Sequence, residues 1–149
     1  MSSVETDIRK CDTVLMNTLM NAIKHSSKGD RITVSTALTE EGMIRTSISD
    51  EGPGFDKDLD PNILFTAFYQ SNNEKYGSGI GLSYSKILIE MLGGQIGAFN
   101  NEDKGATFWW EIPPRIDISP ESETTSKAYL NEHFELILAE DALQQLCEI

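Results

Sequence analysis

The sequence predicts an α/β (α+β) two-layer sandwich: a mixed, mostly antiparallel sheet covered on one face by about three helices. Three observations carry this. Two long segments repeat apolar residues at three- and four-residue steps, as amphipathic helices do. Four shorter segments alternate apolar and polar residues and come in pairs joined by tight turns, as hairpins do. Their order is helix, two strands, loop, helix, two strands, which a single sheet with helices on one face accommodates.

The first helix spans Asp7 to Ser26, with Ile8, Cys11, Val14, Leu15, Leu19, Ala22 and Ile23 on one side. Gly29 in Ser26-Ser27-Lys28-Gly29-Asp30 can take the left-handed turn that ends it. Arg31 to Thr39 and Met43 to Ser49 form a hairpin around Glu40-Glu41-Gly42. Asp50 to Asp60 is a loop rich in Gly, Pro and Asp, and Pro61 to Phe68 is a short helix or turn. Tyr69 to Gly79 is a polar, mobile loop. Ile80 to Leu92 is the second long helix, stopped by Gly93-Gly94. Gln95 to Asn100 and Thr107 to Ile112 are the last strands, and Pro113-Pro114 closes the unit.

These elements place the main domain at residues 1–114. Residues 115–127, rich in Ser, Thr and Glu, read as a linker, and 128–149 as an acidic tail that regains apolar periodicity. Net charge is −12, and from Pro113 onward eight acidic residues face two basic ones. Such a surface argues against direct contact with nucleic acid, whose phosphates need a basic partner. No apolar run reaches the roughly 18 residues of a membrane span. The polar start, Met1 to Asp7, is no secretory signal. The expected location is the cytoplasm, without membrane contact by these residues. Cys11 and Cys147 read as two free thiols of a reducing compartment. His25 and His133 lack partners at zinc-ligand spacing.

Three segments carry chemistry. Asn17, Asn21 and Lys24 stand at i, i+4 and i+7, on one helix face. Carboxamide oxygens suit a hard cation such as Mg²⁺, which keeps several waters and bridges to phosphates. A lysine one turn on can meet a phosphate as a point charge. The same pattern also fits a solvent-facing polar stripe. Asp50-Glu51-Gly52-Pro53-Gly54 follows a strand, so its carboxylate can accept from an exocyclic amine such as adenine N6. Its glycines let backbone approach a flat base, although an ordinary Gly-Pro turn has the same composition. Gly77-Ser78-Gly79-Ile80-Gly81-Leu82 opens a helix, where unpaired N–H groups and the positive dipole end favour an anion. It lacks the Gly-Lys-Ser/Thr ending of a P-loop and the spacing of a dinucleotide fingerprint.

In order and spacing, these segments resemble the ATP-binding catalytic domain of sensor histidine kinases, in the GHKL group. Val14 to Lys24 is similar to that family's N box and Asp50 to Gly54 to its first glycine box. Leu64-Phe65-Thr66-Ala67-Phe68 is similar to its F box, and Gly77 to Leu82 to its second glycine box. Gly105-Ala106-Thr107 resembles its last short motif. The resemblance covers roughly residues 7 to 114 and implies a Bergerat-type sandwich with a mobile ATP lid at Tyr69 to Ser78.

It implies ATP and Mg²⁺ as cofactors, with Asn17 and Asn21 holding the metal. Lys24 would contact the phosphates and His25 the ribose or phosphate region. Asp50 would bind adenine N6, directly and through a water shared with Thr107. Gly52 and Gly54 would shape the base pocket, and Phe68 would be among the residues that bind ATP. Gly77, Ser78, Gly79, Ile80, Gly81 and Leu82 would bound the triphosphate.

Two departures stand out. Thr66-Ala67 replaces the family's usual Glu-Pro, and Gln70 stands where an arginine often lies. Lys75 is a candidate substitute for that arginine at the γ-phosphate. The resemblance also implies that the phosphate acceptor is a histidine on a separate dimerisation and phosphoacceptor domain of the same parent, with a response regulator or receiver domain downstream. Alternatives are an anti-sigma-type serine kinase and an ATP-sensing module without transfer. Ala128 to Asp141 carries a second resemblance, to a receiver-domain stretch from first helix to second strand, which would make the parent a hybrid kinase; an extra amphipathic helix is the other reading.

Overall fold

The computed structural model of the chain describes residues 4–70, 77–116 and 132–137. It is the expected two-layer sandwich. The elements are β1 (Val4–Glu5), α1 (Ile8–His25), β2 (Arg31–Leu38), β3 (Ile44–Asp50), a 3₁₀ helix (Pro61–Phe65), α2 (Gly81–Met91), β4 (Gln95–Asn100), β5 (Ala106–Ile112), β6 (Arg115–Ile116) and β7 (Glu132–Ile137). The main sheet runs in the order β4-β5-β3-β2-β7, and β1 pairs with β6 apart from it. Every pairing among the described residues is antiparallel, where the sequence suggested a mixed sheet. Among the described residues, two α-helices and the 3₁₀ turn make up the helical layer.

Local chemistry sets the element ends. The Asp7 carboxylate accepts from the N–H groups of Arg9 and Lys10 and caps α1. Lys24 and His25 in its last turn complement the dipole. The β2–β3 turn closes with Thr39 N–H donating to Met43 O at 2.8 Å. Asp60 accepts from Asn62 N–H to start the 3₁₀ helix, with Pro61 at its first position.

Alternation along each strand divides the sheet into two faces. Ile32, Ile44, Ile48, Phe108, Trp110 and Ile112 point to the helices, where they meet Val14, Ala22, Ile23, Leu88 and Ile89 or join Phe65. The other face carries Arg45, Ser47, Ser49, Thr107, Trp109 and Glu111. There Arg45 lies 4.4 Å over the Trp109 ring and donates to Glu111 at 2.7 Å. A second, smaller cluster of Phe65, Ala106 and Phe108 sits toward one end of the layers. Phe65 and Phe108 meet edge to face at 6.2 Å. That end holds the site.

The tail differs from expectation. Arg115–Ile116, at the start of the expected linker, pairs with Val4–Glu5. Glu132–Ile137 is a strand along β2, not a helix, with Arg31 opposite Ile137 and Thr36 opposite Glu132. An uncovered β2 would leave a row of backbone donors and acceptors at the sheet edge, and a paired strand satisfies them. The remainder of the tail, with Cys147, lies outside the described residues.

Ile48 is fully buried between β2 and β5. Replacing it by alanine is expected to lower the unfolding free energy in urea by about 3 kcal/mol. A loss under about 1 kcal/mol would contradict a core centred on this residue.

Candidate functional site

Four segments converge at the end of the sheet: the last two turns of α1, the loop after β3, the start of α2 and the β4–β5 turn. α1 contributes one polar face. Asn17 donates through Nδ2 to Gly81 O and to Ser85 Oγ, both at 3.1 Å. These bonds fix its carboxamide against the first turn of α2 and leave Oδ1 available. Asn21, half-buried one turn further on, forms no side-chain hydrogen bond among the described residues. Lys24 Nζ lies 3.1 Å from where a side chain on Gly77 would begin. The ammonium therefore faces the second glycine segment. Half-buried His25 presents its backbone carbonyl to Gly52.

Asp50 is 3% exposed at the end of β3. Its Oδ1 accepts from Gly52 N–H at 2.9 Å and Ala106 N–H at 3.2 Å. Burial pushes its carboxyl above the usual range, against the lowering pull of those two donors and the charge of His25. Gly52 has no room for a side chain, because a Cβ would stand 2.5 Å from His25 O. Gly54 adopts φ +71°, a left-handed conformation that favours glycine.

α2 begins at Gly81 with no side-chain cap, so its first N–H groups stay available to an anion. Gly81 touches Asn17, and Leu82 packs into the smaller core cluster. Ile80 and Ser78 are exposed. Phe68 N–H donates to Gly79 O at 2.8 Å, and the Gln70 carboxamide donates to Gly77 O, so the two stems of the intervening loop are joined. Phe68 itself is 74% exposed at φ 63°. Lys75 lies outside the described residues.

The structure thus brings Asn17, Asn21, Lys24, Asp50, Gly52, Gly54, Gly77, Gly81 and Leu82 to one end of the sandwich. Thr107 is the exception. It pairs with Ser49, and since neighbouring strand residues face opposite ways, its hydroxyl is on the side away from the Asp50 carboxylate. Its hydroxyl donates to Asn101 Oδ1 at 2.6 Å and pairs with the Ser49 hydroxyl at 3.0 Å. Ala106 occupies the Asp50 side and offers only its N–H, so the expected shared water has no Thr107 hydroxyl beside it. A cavity of about 360 Å³ lies on that far side, lined by Arg31, Ser49, Asn101, Lys104 and neighbours. Asp50 and Glu51 also line it, so it adjoins the end of β3. Asp30 beside it is held below the usual carboxylate range by a hydrogen bond from Lys104 at 2.8 Å.

Sequence reasoning missed Ser85, Asn100 and Asn101. Ser85 stands one turn after Gly81, at the spacing that would have paired it with Asn17. Asn100 and Asn101 end a strand next to a turn, a position where carboxamides often bond to backbone.

The donor set fits Mg²⁺. Asn17 Oδ1 and Asn21 Oδ1 are hard neutral oxygens on one face, beside a lysine and uncapped amides suited to phosphate. Two protein ligands leave the rest of an octahedron to water and phosphate oxygens.

Comparison with known proteins agrees with this fold. The family described as histidine kinase-, DNA gyrase B-, and HSP90-like ATPase matches residues 6–116. The adaptive-response sensory kinase SasA of Prochlorococcus marinus is 30% identical over 115 residues, covering 76% of this chain and 30% of SasA. The mycobacterial sensor histidine kinase MprB superposes with a TM-score of 0.69 at 26% identity, over 77% of this chain and 79% of that one. Full-length ShkA in complex with AMPPNP gives a TM-score of 0.68 at 28% identity, over 80% of this chain and 25% of ShkA. Fold and cleft define an ATP-binding α/β sandwich. The chain belongs to the histidine kinase-, DNA gyrase B-, and HSP90-like ATPase family, and within it is a catalytic ATP-binding domain of the sensor histidine kinase, or GHKL, type.

Asp50 also sets a pH dependence. Its folded-state pKa lies above its unfolded value near 3.8, so ionisation opposes folding. That cost is absent below 3.8 and grows as pH rises through the folded pKa. Asp50→Asn is therefore expected to melt above the parent at neutral pH, with the gain vanishing in acid. A variant that melts lower at neutral pH would contradict this sign.

Proposed function

We propose that the cleft binds Mg-ATP and presents the γ-phosphate for transfer to a histidine on a separate dimerisation and phosphoacceptor domain of the same parent, in two-component signalling. The observation that carries this is the convergence of three different chemistries in one cleft. A buried carboxylate suits an adenine amine, two carboxamides suit a metal, and a lysine with uncapped helix amides suits phosphates. The chain spans only part of its curated relatives, 30% of SasA for example, so activity and partners of the whole protein form part of the proposal. Downstream, a response regulator or receiver domain would take the phosphate. No helix among the described residues is long and apolar enough to cross a membrane, which accords with a cytoplasmic location.

Mg²⁺, when bound through Asn17 and Asn21, would supply charge neutralisation for the phosphates. The chain's own residues do the positioning, which dominates phosphoryl transfer. Asp50 accepts from the base and fixes its orientation. The glycines after it admit the ring closely. Lys24 draws the phosphate chain toward Gly77, and the N–H groups at the start of α2 hold it there. No described side chain in the cleft is placed as a phosphate acceptor.

Two outcomes follow. With radiolabelled ATP the isolated chain binds nucleotide but retains no stoichiometric phosphate, and label appears only when a cognate histidine-bearing domain is added; stoichiometric self-labelling would refute the separate acceptor. Lys24→Met is expected to weaken AMPPNP by about tenfold, as loss of a charge-assisted contact does, and AMP hardly at all. Equal losses for both nucleotides in calorimetry would remove Lys24 from the phosphate site.

A further inference from the structure

We propose that Asn100, the last residue of β4, is a positioning residue for the nucleotide cleft: its carboxamide replaces a strand and clamps the glycine loop that follows Asp50. This rests on the nucleotide-binding role proposed above.

Asn100 stands opposite Ala106 on β5, the residue whose N–H meets the Asp50 carboxylate. Its Oδ1 accepts from Phe55 N–H at 3.0 Å, and its Nδ2 donates to Phe55 O at 2.7 Å. Both backbone polar groups of Phe55 are thus satisfied by one side chain, as a neighbouring strand would satisfy them. The two bonds have opposite polarity, so only a carboxamide in this one orientation makes both.

Gly54 is shaped to allow it. A Cβ there would lie 2.5 Å from Asn100 Oδ1 and 3.2 Å from Gly105 O. The clamp and the glycine therefore require each other. Beyond the clamp, Phe55 packs against the cluster of Phe65, Ala106 and Phe108. Asn100 ties the far end of the Asp50–Phe55 loop to β4, while Asp50 itself holds the near end through Gly52 N–H. Between these two anchors runs the backbone that would lie against the base. Asn100 does not need to touch the nucleotide to set that backbone.

The test uses Asn100→Ala and the near-isosteric Asn100→Leu, which keeps volume but loses both bonds. In the nucleotide-free protein, hydrogen exchange at the Phe55 amide is expected to accelerate by at least about tenfold in both variants, while amides of α1 and β3 stay protected. ADP and AMPPNP affinities, measured by calorimetry, are expected to fall together by about tenfold, their ratio unchanged, because the base end is affected and the phosphate end is not. Unchanged exchange at Phe55, wild-type affinity in Asn100→Leu, or a loss confined to AMPPNP would each overturn the proposal. Absence of ADP binding by the unsubstituted chain would instead overturn the nucleotide-binding role, and the exchange measurement would still report on the clamp.

Discussion

The site depends on how closely three backbones pack around the end of β3. A side chain on Gly52 would strike His25 O at 2.5 Å, and one on Gly105 would strike Asp50 O at 1.9 Å. The end of α1, the loop after β3 and the turn before β5 are therefore locked together with Asp50 at their centre. The Asp50 carboxylate is desolvated by this packing and held by two backbone donors. Burial raises the cost of its charge, and the two backbone donors offset that cost in part.

The same packing connects core to chemistry. α1 buries Val14, Thr18, Ala22 and Ile23 against the sheet and α2. That sets its other face, with Asn17, Asn21 and Lys24, along the cleft. Asn17 then grips α2 through Gly81 and Ser85, so the polar face of α1 and the uncapped start of α2 are held in register by one carboxamide. The smaller aromatic cluster does the same for the base end, since Phe55 and Leu82 both rest on it.

Much of this was legible in the sequence. Helix periodicity located α1 and α2 to within a residue or two at each end, because both bury one apolar stripe. The Asn17/Asn21/Lys24 spacing and the glycines around Asp50 follow from helix geometry and turn chemistry, which are local. Thr107 was misplaced because motif matching ignores strand parity, and a shift of one residue exchanges the two faces of a sheet. Ser85 and Asn100 escaped notice because their partners, Asn17 and Phe55, are distant in sequence. The pairing of β7 with β2 was not legible, because it depends on an open sheet edge that no local pattern reveals.

The central claim is that the nucleotide occupies the cleft between α1, the Asp50 loop and the start of α2. Backbone and side-chain amide shifts during titration with Mg-AMPPNP, read by nuclear magnetic resonance, test it directly. The account predicts that the shifts concentrate at the Asn17 and Asn21 carboxamides, at Gly52 and Gly54, and at Gly81 and Leu82. Shifts concentrated instead at Arg31, Asn101 and Lys104, around the cavity on the opposite face of the sheet, would contradict it.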